Sequence, residues 1–269
     1  MQLAPQTKEF PDIPATQATP SRFEDADYLA MICHEIGTPL TAILGISHIL
    51  ANIECSAQKK KECAEVLQDS SNMLMGLINN MLDSSKLDNG SVELDIIPFD
   101  LTKVLEEAKN IITVRAADKG LFVHMQISKS PPVLYMGDPL RIRQILLNLL
   151  GNAVKFTSEG VISLCLAEEP VLNGHSKVRI TVADPGIGMK KEQIGKIFGK
   201  CAQANPSISR KYGGSGLGLF ISQQLAHLMN GDITVKSTLG KGSHFTVTLL
   251  LRKAPIPLAA LKTNVKELV

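Results

Sequence analysis

Apolar residues recur at spacings of three and four over two stretches in the first third of the chain. Such spacing places the apolar side chains on one face of a helix. It predicts a first helix from about residue 23 to 53 and a second that ends near Asp88, before Asn89-Gly90, with a turn over residues 52–56. The apolar positions are Ile32, Ile36, Leu40, Ile43, Ile46 and Leu50 in the first helix, and Leu67, Leu74, Leu77, Ile78, Met81 and Leu82 in the second.

The two helices are expected to form a hairpin that is buried in a helical bundle. Residues 36–53 carry no charged side chain and approach the length of a membrane span, but Gly37, Pro39, His48 and Asn52 make them too polar for lipid. A hairpin on its own cannot bury the apolar faces of both helices. We therefore predict a four-helix bundle made by two chains, a homodimer, with no membrane contact by this segment.

The pattern changes beyond about residue 96. Helical segments there alternate with period-two segments such as Val178-Ile180-Val182 and Phe245-Val247-Leu249, which are typical of strands. This alternation predicts a separate α+β domain. The predicted organisation is a disordered N-terminal linker over 1–22, a helical domain over 23–95, the α+β domain over 96–252 and a C-terminal linker or tail over 253–269.

Composition and charge exclude some classes of function. The net charge of the 269 residues is +2, which gives no general preference for nucleic acid. The five cysteines form no CxxC pair and are odd in number, which argues against a disulfide framework or a zinc site and favours a reducing cytoplasm. The N-terminus has no basic region followed by an apolar core, so we predict no signal peptide.

His34 lies on the first helix, about 200° from the buried Ile32, and is therefore expected to face solvent beside Glu35. For an isolated histidine, an ordinary surface residue is the simpler interpretation. A neutral imidazole is nevertheless nucleophilic near neutral pH, and an adjacent carboxylate can fix its tautomer. Thr38 lies one turn further on, and Pro39 removes a helix hydrogen bond and is expected to bend the helix.

A third predicted helix carries a polar stripe on an otherwise apolar surface. It starts at Asp138-Pro139, an acidic N-cap followed by proline, and runs to about Thr157. The stripe is expected to line a cavity, with an ordinary solvent-exposed face as the alternative. Its members are Arg141, Gln144, Asn148, Asn152 and Lys155.

Two glycine-rich segments follow strands or precede helices. Asp184-Pro185-Gly186-Ile187-Gly188 combines a carboxylate with two glycines that permit close backbone approach. The segment from Ser209 to Leu219 leads directly into a helix, so its backbone N–H groups and the helix dipole favour phosphate. The second segment fits neither the GxxxxGK[ST] loop nor the GxGxxG dinucleotide fingerprint.

Together these segments resemble the catalytic core of sensor histidine kinases, and most of all that of hybrid two-component kinases. His34-Glu35-Ile36-Gly37-Thr38-Pro39-Leu40 is similar to the H-box, and residues 148–157 are similar to the N-box. Asp184 to Gly188 and Ser209 to Leu219 resemble the two glycine boxes, and Ile197-Phe198 matches the F-box. The resemblance covers roughly residues 23–252. It implies a dimeric four-helix bundle for phosphotransfer, followed by an α+β sandwich of the Bergerat or gyrase type that binds ATP.

The resemblance also implies roles for individual residues. His34 would be the phosphoryl acceptor and Glu35 would orient it, while Thr38 would either position water for hydrolysis or serve as a helix-surface hydroxyl. Asn152 would bind Mg²⁺, and Asp184 would accept a hydrogen bond from the adenine amino group. Phe156 would pack near adenine or in the core. The expected nucleotide-binding set is Asn148, Asn152, Lys155, Phe156, Asp184, Gly186, Gly188, Lys211, Gly214, Gly216, Leu217 and Gly218.

The chain departs from the family pattern at three places. Gly37 stands where arginine is usual, Gly199-Lys200 where an acid and a proline are usual, and Cys201 where a second aromatic residue is usual. The F-box lies in the long segment 190–212, which is expected to act as a lid over ATP.

The resemblance implies an ATP- and Mg²⁺-dependent, cytoplasmic histidine kinase. It would phosphorylate His34 and transfer the phosphoryl group to an aspartate of a response-regulator receiver domain. Some kinases of this family also dephosphorylate their partner, so the resemblance allows phosphatase activity as a second activity. It also allows an upstream sensor or another kinase as a further partner. One alternative is a catalytically weak pseudokinase that acts as a nucleotide-binding scaffold. Another is a gyrase-like or chaperone-like ATPase.

Overall fold

The computed structural model describes residues 22–52, 56–127, 133–200 and 216–254. The predicted N-terminal linker and C-terminal tail lie almost entirely outside these residues. So do Cys201, Lys211 and Gly214.

The first two helices form an antiparallel hairpin. Helix α1 spans Arg22–Asn52 and continues through Pro39, and helix α2 spans Ala57–Asp88. The Ser56 side chain accepts a hydrogen bond from the Lys59 N–H and so caps α2 at its start. The two helices therefore begin and end within about two residues of the predicted positions.

The predicted buried face of the hairpin is only partly covered by the chain itself. Ile32, Cys63 and Leu77 are buried, whereas Leu40, Ile78 and Leu82 are exposed in the single chain. A hairpin has too little surface to enclose both apolar stripes. The exposed bundle face, as we call this set, consists of Leu40 and Leu44 of α1 with Met75, Ile78 and Leu82, which share one side of α2.

The rest of the described chain is built on one seven-stranded sheet. The strands are β1 (Ile97–Asp100), β2 (Phe122–Ile127), β3 (Leu134–Gly137), β4 (Val161–Pro170), β5 (His175–Asp184), β6 (Asp232–Thr238) and β7 (Gly242–Lys253). Their order is β1-β3-β7-β5-β4-β2, with β6 also paired to β7. Every pair is antiparallel except β2 with β4, which is parallel.

Helices pack on the sheet face that carries Val178, Ile180 and Val182, which are all fully buried. These helices are α3 (Leu101–Ala117), α4 (Pro139–Phe156), the short α5 (Lys191–Ile194) and α6 (Leu217–Leu228). The Asp138 side chain accepts from the Arg141 N–H and caps α4, as its sequence predicts. The layers of helix and sheet confirm the predicted α+β sandwich.

The hairpin and the α+β domain are in direct contact. Met81 and Leu87 of α2 and the connecting residues Val92 and Leu94 pack against the core of the α+β domain. The Asp95 N–H donates to the buried carboxylate of Asp138, 3.1 Å away, and so ties the connection to the start of α4.

Within the part of the chain that the structure describes, no helix is both long and apolar enough to cross a membrane.

Candidate functional site

His34 is exposed on α1, as its position relative to Ile32 predicts. The Thr38 hydroxyl donates to the carbonyl oxygen of His34 at 3.2 Å, and the Thr41 hydroxyl donates to that of Gly37 at 2.7 Å. Both hydroxyl protons are therefore engaged by the helix backbone near Pro39, while the His34 imidazole points outward. The helix thus presents an accessible nucleophile one turn from a hydroxyl group.

The Oε2 atom of Glu35 makes no hydrogen bond to the His34 imidazole. That atom is buried and has no hydrogen-bond partner among the described residues. The Glu35 carboxylate instead attracts the ammonium group of Lys155 on α4. A residue of the predicted H-box is therefore electrostatically coupled to a residue of the predicted nucleotide site.

Lys155 and Phe156 end α4 in a partly buried position. The Lys155 Nζ lies 4.9 Å from the centroid of the Phe156 ring, which is a cation–π distance. Burial lowers the pKa of Lys155, and the attraction of Glu35 partly offsets this effect. The structure thus holds an ammonium group near the acceptor helix, at the end of the helix that carries the polar stripe.

Asn148 joins α4 to α6. Its Nδ2 donates to the Ser222 hydroxyl at 2.9 Å. A Cβ atom at Gly218 would lie 2.3 Å from the Asn148 Oδ1, so the start of α6 approaches this amide as closely as glycine permits. Asn152 lies one turn further along α4 and is half-buried. Asn148 thus lies at the junction between α4 and the second glycine segment.

The first two members of the stripe are engaged elsewhere. Gln144 donates to the Asp83 carboxylate of α2 at 2.6 Å, and Arg141 forms an ion pair with the same carboxylate at 3.7 Å. The prediction that the whole stripe lines a cavity is therefore wrong for Arg141 and Gln144. They contact the hairpin because α2 packs against α6, which brings Asp83 within reach of the start of α4.

Asp184 ends β5 with its side chain buried. The Gly186 N–H donates to its Oδ1 at 2.9 Å. Burial raises the pKa of Asp184, while the backbone hydrogen bonds from Gly186 and Ser243 and the proximity of His244 act in the opposite direction. A carboxylate held in this way has a strong preference for a hydrogen-bond donor.

The turn after Asp184 packs closely on its neighbours. Gly188 has a φ of +62°, and a Cβ atom there would lie 2.0 Å from the Thr238 carbonyl oxygen. The Ile187 N–H donates to the Phe156 carbonyl at 3.3 Å. The turn is thereby fixed against the end of α4, which brings the first glycine segment to the polar stripe.

The second glycine segment is described only from Gly216 onwards. Gly216 is the N-cap residue of α6 in a left-handed conformation, Leu217 is fully buried and Gly218 contacts Asn148. The structure thus brings Gly216, Leu217 and Gly218 to the site, whereas Lys211 and Gly214 lie outside the described residues.

Two further features of the site are not predicted from the sequence. The Thr157 hydroxyl oxygen is buried beside the first glycine segment, and no described group hydrogen-bonds to it. Lys200, one of the departures from the F-box pattern, forms an ion pair with Asp88 of α2 at 2.6 Å. The position of Thr157 after the polar stripe is a signal for the first feature, but no periodicity connects Lys200 to Asp88.

Comparisons with known proteins match both halves of the chain. The family described as His Kinase A (phospho-acceptor) domain matches residues 25–90. The family described as Histidine kinase-, DNA gyrase B-, and HSP90-like ATPase matches residues 137–253. The chain belongs to the histidine kinases. The match of the phosphoacceptor domain decides against a simple gyrase-like or chaperone-like ATPase.

Relatives of this histidine kinase carry related names. The sensor protein GacS of Pseudomonas syringae pv. syringae is 39% identical over 250 residues, which are 90% of this chain and 28% of that protein. The histidine-protein kinase BarA of Escherichia coli K12 is 36% identical over 220 residues, 82% of this chain and 24% of BarA. The chain thus spans about a quarter of the length of these relatives. They give no support to the alternative of a weak pseudokinase scaffold.

A solved histidine kinase has the same architecture. The crystal structure of full-length ShkA in complex with AMPPNP superposes with a TM-score of 0.63 and 32% identity, covering 86% of this chain and 47% of ShkA. In the kinase described here, that alignment includes both the hairpin and the α+β domain, because neither alone is long enough to account for it.

The residues of this kinase fit a magnesium ion only together with a phosphate ligand. No cluster of three His, Cys, Asp or Glu side chains occurs within the described ranges. Asn152 supplies a neutral amide oxygen beside the cationic Lys155. Mg²⁺ prefers few protein oxygens together with water and substrate phosphates, so the donor set suits Mg²⁺ bound to a nucleotide.

Proposed function

We propose that this chain is the catalytic core of an ATP-dependent histidine kinase that phosphorylates itself on His34. The observation that carries the proposal is an exposed histidine on α1 of a hairpin whose second helix packs against the core of the domain that carries the polar stripe. The phosphoryl group then passes to an aspartate of a response-regulator receiver domain. Removal of that group from the receiver, with Thr38 holding the attacking water, is a second activity of the same helix.

ATP would bind between α4, the first glycine segment and the start of α6. The buried Asp184 carboxylate would accept a hydrogen bond from the adenine amino group, and guanine would be rejected because it offers no donor there. Lys155 would contact phosphate, with Asn148 holding the start of α6 in place. The other contacts would come from Phe156, Gly186, Gly188, Lys211, Gly214, Gly216, Leu217 and Gly218.

Asn152 would bind the magnesium ion through its amide oxygen. When bound, the ion would neutralise part of the triphosphate charge in the transition state. The remaining catalysis is the positioning of two reactants, since phosphoryl transfer needs little covalent participation by the protein.

His34 would act as the nucleophile in its neutral form. One ring nitrogen attacks the γ-phosphorus, the bond from that phosphorus to the bridging oxygen breaks, and ADP leaves with the electron pair. The proton on the other ring nitrogen is stabilised by Glu35.

The bundle would be completed by a second copy of the chain. The exposed bundle face contains five large apolar residues on the two helices, and an apolar surface of this kind is typical of an interface. We also propose a cytoplasmic location, a receiver domain as the phosphoryl acceptor, and an upstream sensor or another kinase that controls the bundle. The chain is not expected to bind nucleic acid.

The proposal is tested by incubating the purified chain with γ-labelled ATP and Mg²⁺. We expect a label that is lost in acid, stable in base and absent from His34→Gln. His48→Gln is the matched control, because His48 is also exposed on α1 and lies fourteen residues later, close to the same helix face. It should retain the label.

Two results would contradict the proposal. Steady release of phosphate without a labelled protein would indicate a simple ATPase. Equal labelling of His34→Gln and the unmodified chain would place the acceptor elsewhere. Transfer of the label to candidate receiver domains then tests the partner.

A further inference from the structure

The proposed nucleotide site includes the C-terminal end of α4, which carries Asn152, Lys155 and Phe156. The last four carbonyl groups of a helix have no partner within the helix, and the helix dipole places partial negative charge on them. Such charge repels the phosphates of a nucleotide. A triphosphate that binds at this end of α4 is therefore favoured if the protein satisfies these carbonyls and offsets their charge.

Lys119, in the turn between α3 and β2, brings a full positive charge to two of these carbonyls. Its ammonium group donates to the Val154 oxygen at 2.9 Å and lies 3.4 Å from the Lys155 oxygen, to which it also donates. Lys119 itself is exposed, but its hydrogen bond to Val154 is partly buried and is therefore less screened by salt. A hydrogen bond from a charged donor is also stronger than one from a neutral donor.

The carbonyls on either side of these two accept from neutral backbone groups. The Ala153 carbonyl accepts from the Thr157 N–H at 3.1 Å, and the Phe156 carbonyl accepts from the Ile187 N–H at 3.3 Å. Since Ile187 belongs to the first glycine segment, the second of these bonds also joins the end of α4 to that segment. Both donors are uncharged, so the Lys119 ammonium group adds the positive charge that they lack.

The turn that carries Lys119 is held in place by its own backbone and by the core. The N–H groups of Lys119 and Leu121 both donate to the Ala116 carbonyl, at 3.0 and 2.9 Å, and the side chains of Ala116 and Leu121 are buried. Earlier along α3, Glu107 forms an ion pair with Arg143 of α4 at 2.8 Å. The backbone of Lys119 is thus fixed relative to α4, and only its side chain has to be ordered for the contact.

We infer that Lys119 is a positioning residue of the nucleotide site. By holding the carbonyls of Val154 and Lys155 and offsetting the negative end of the α4 dipole, it lets this end of the helix accept a nucleoside triphosphate. Lys119 acts through the backbone of α4 and need not contact the nucleotide. The inference rests on the proposed function, because that function makes ATP the ligand at the end of α4.

The inference is tested by calorimetric titration of the full chain with ATP, ADP and adenosine in the presence of Mg²⁺. Lys119→Met keeps a long apolar side chain but removes the charge. We expect it to weaken ATP binding about three- to tenfold. The loss should be smaller for ADP and smallest for adenosine, because the repulsion grows with the charge on the ligand. Lys119→Arg keeps the charge and the N–H donors, and it should restore most of the ATP affinity.

Two further variants control for lost charge elsewhere and for lost stability. Lys103→Met removes a lysine that is exposed in the first turn of α3, about 24 Å along the chain direction of that helix from Lys119, and it should leave ATP affinity unchanged. Lys119→Gln keeps an N–H donor without the charge and should show the same dependence on the number of phosphates. It also provides the comparison if thermal melting shows that Lys119→Met does not fold.

The outcomes separate this inference from the proposed function. In the labelling assay, Lys119→Met should raise the KM for ATP at an unchanged kcat, since it weakens binding alone. Unchanged ATP affinity, an equal loss for ATP and adenosine, or a lowered kcat at an unchanged KM would overturn the inference. An unmodified chain that binds ATP but acquires no label on His34 would instead overturn the proposed function, and the titrations would still decide the role of Lys119.

Discussion

At the scale of single residues, Asp184 is a buried carboxylate. Its burial costs the protein stability, whereas a ligand that donates a hydrogen bond to it would be favoured. Burial raises the pKa of Asp184 above its usual range in spite of the hydrogen bonds it accepts. Its contribution to stability is therefore fully present below the pKa of the unfolded state, about 3.9, and is lost as the pH rises through the folded-state pKa. At neutral pH the charged carboxylate destabilises the empty domain.

We predict that Asp184→Asn raises the melting temperature of the nucleotide-free protein at pH 7 and lowers the affinity for ATP. An uncharged amide removes the cost of burying a charge and can still accept from the Gly186 N–H. The loss of the adenine contact should weaken ATP binding about 10- to 100-fold. Melting curves from pH 4 to 8 and calorimetric titration with ATP measure both effects. A lower melting temperature without nucleotide would contradict the first.

The pKa of a second carboxylate, Glu168, is shifted in the opposite direction, below its usual range. Its Oε1 accepts from the fully buried Ser176 hydroxyl at 2.6 Å and pairs with Lys253 at 2.8 Å. Burial alone would raise the pKa of Glu168, but the hydrogen bonds from Lys253, Ser176 and Tyr135 together lower it. The same carboxylate and the burial of the phenol raise the pKa of Tyr135. This network holds the end of β7 against β4 and β5.

Glu168→Gln is expected to destabilise the protein by about 1–3 kcal/mol at pH 7, because it weakens a charged hydrogen-bond network. A lowered carboxylate pKa contributes stability above the unfolded-state value of about 4.3, and this contribution is lost as the pH falls. The difference between variant and parent should therefore shrink below about pH 4.3. Glu169→Gln is the neighbouring control, whose exposed pair with Arg179 is screened by solvent. Denaturant titrations at pH 7 and below about pH 4.3 measure the free energy of unfolding of the variant and the parent. A difference in that free energy that does not depend on pH would contradict the role of the network.

At the scale of elements, the junction between α4 and α6 requires a residue without a side chain at position 218, which is Gly218. The Asn148 Oδ1 lies where a Cβ atom of residue 218 would stand, and the amide nitrogen of the same side chain holds Ser222. Any larger residue at position 218 would push Asn148 away from Ser222. The start of α6, where phosphate would bind, would then move relative to the polar stripe.

Gly218→Ala should therefore weaken ATP binding about tenfold, equivalent to about 1.4 kcal/mol. Gly151→Ala on α4 is the control, because a Cβ atom there meets nothing within 4 Å. It should raise stability by about 0.5–1 kcal/mol, as alanine favours a helix over glycine. Calorimetry with ATP and thermal melting separate the two variants. Unchanged ATP affinity in Gly218→Ala would show that the junction tolerates the movement.

At the scale of the whole molecule, the exposed bundle face predicts how two chains assemble. Leu44 is 62% exposed in the single chain and lies on this face. We expect Leu44→Glu to prevent formation of the proposed dimer, because a charge on this face would be buried against an apolar partner surface. Leu172→Glu is the control, since Leu172 is 84% exposed between β4 and β5, far from the hairpin in the sequence. Light scattering of the purified variants measures the mass. A Leu44→Glu variant that is still dimeric would require another interface.

The local features of the fold follow from the sequence alone, because neighbouring residues determine them. The spacing of apolar residues predicts α1 and α2, and Asp138-Pro139 predicts the start of α4, all close to the observed bounds. The alternation around Val178 and Phe245 predicts β5 and β7. The motifs likewise predict the family, and the comparisons confirm it. In each case the signal lies within a few residues of the feature.

Only the tertiary structure decides which distant residues meet. The order of the strands, with β7 between β3 and β5, depends on registers that no periodic pattern specifies. The contacts of Asp83 with Gln144 and of Asp88 with Lys200 join residues 61 and 112 positions apart. Such contacts arise when two apolar surfaces pack and bring their polar margins together, so a sequence pattern cannot reveal them. The exposure of His34 was determined by the sequence, whereas the contacts of the hairpin with the α+β domain were decided by the packing of α2 on α6.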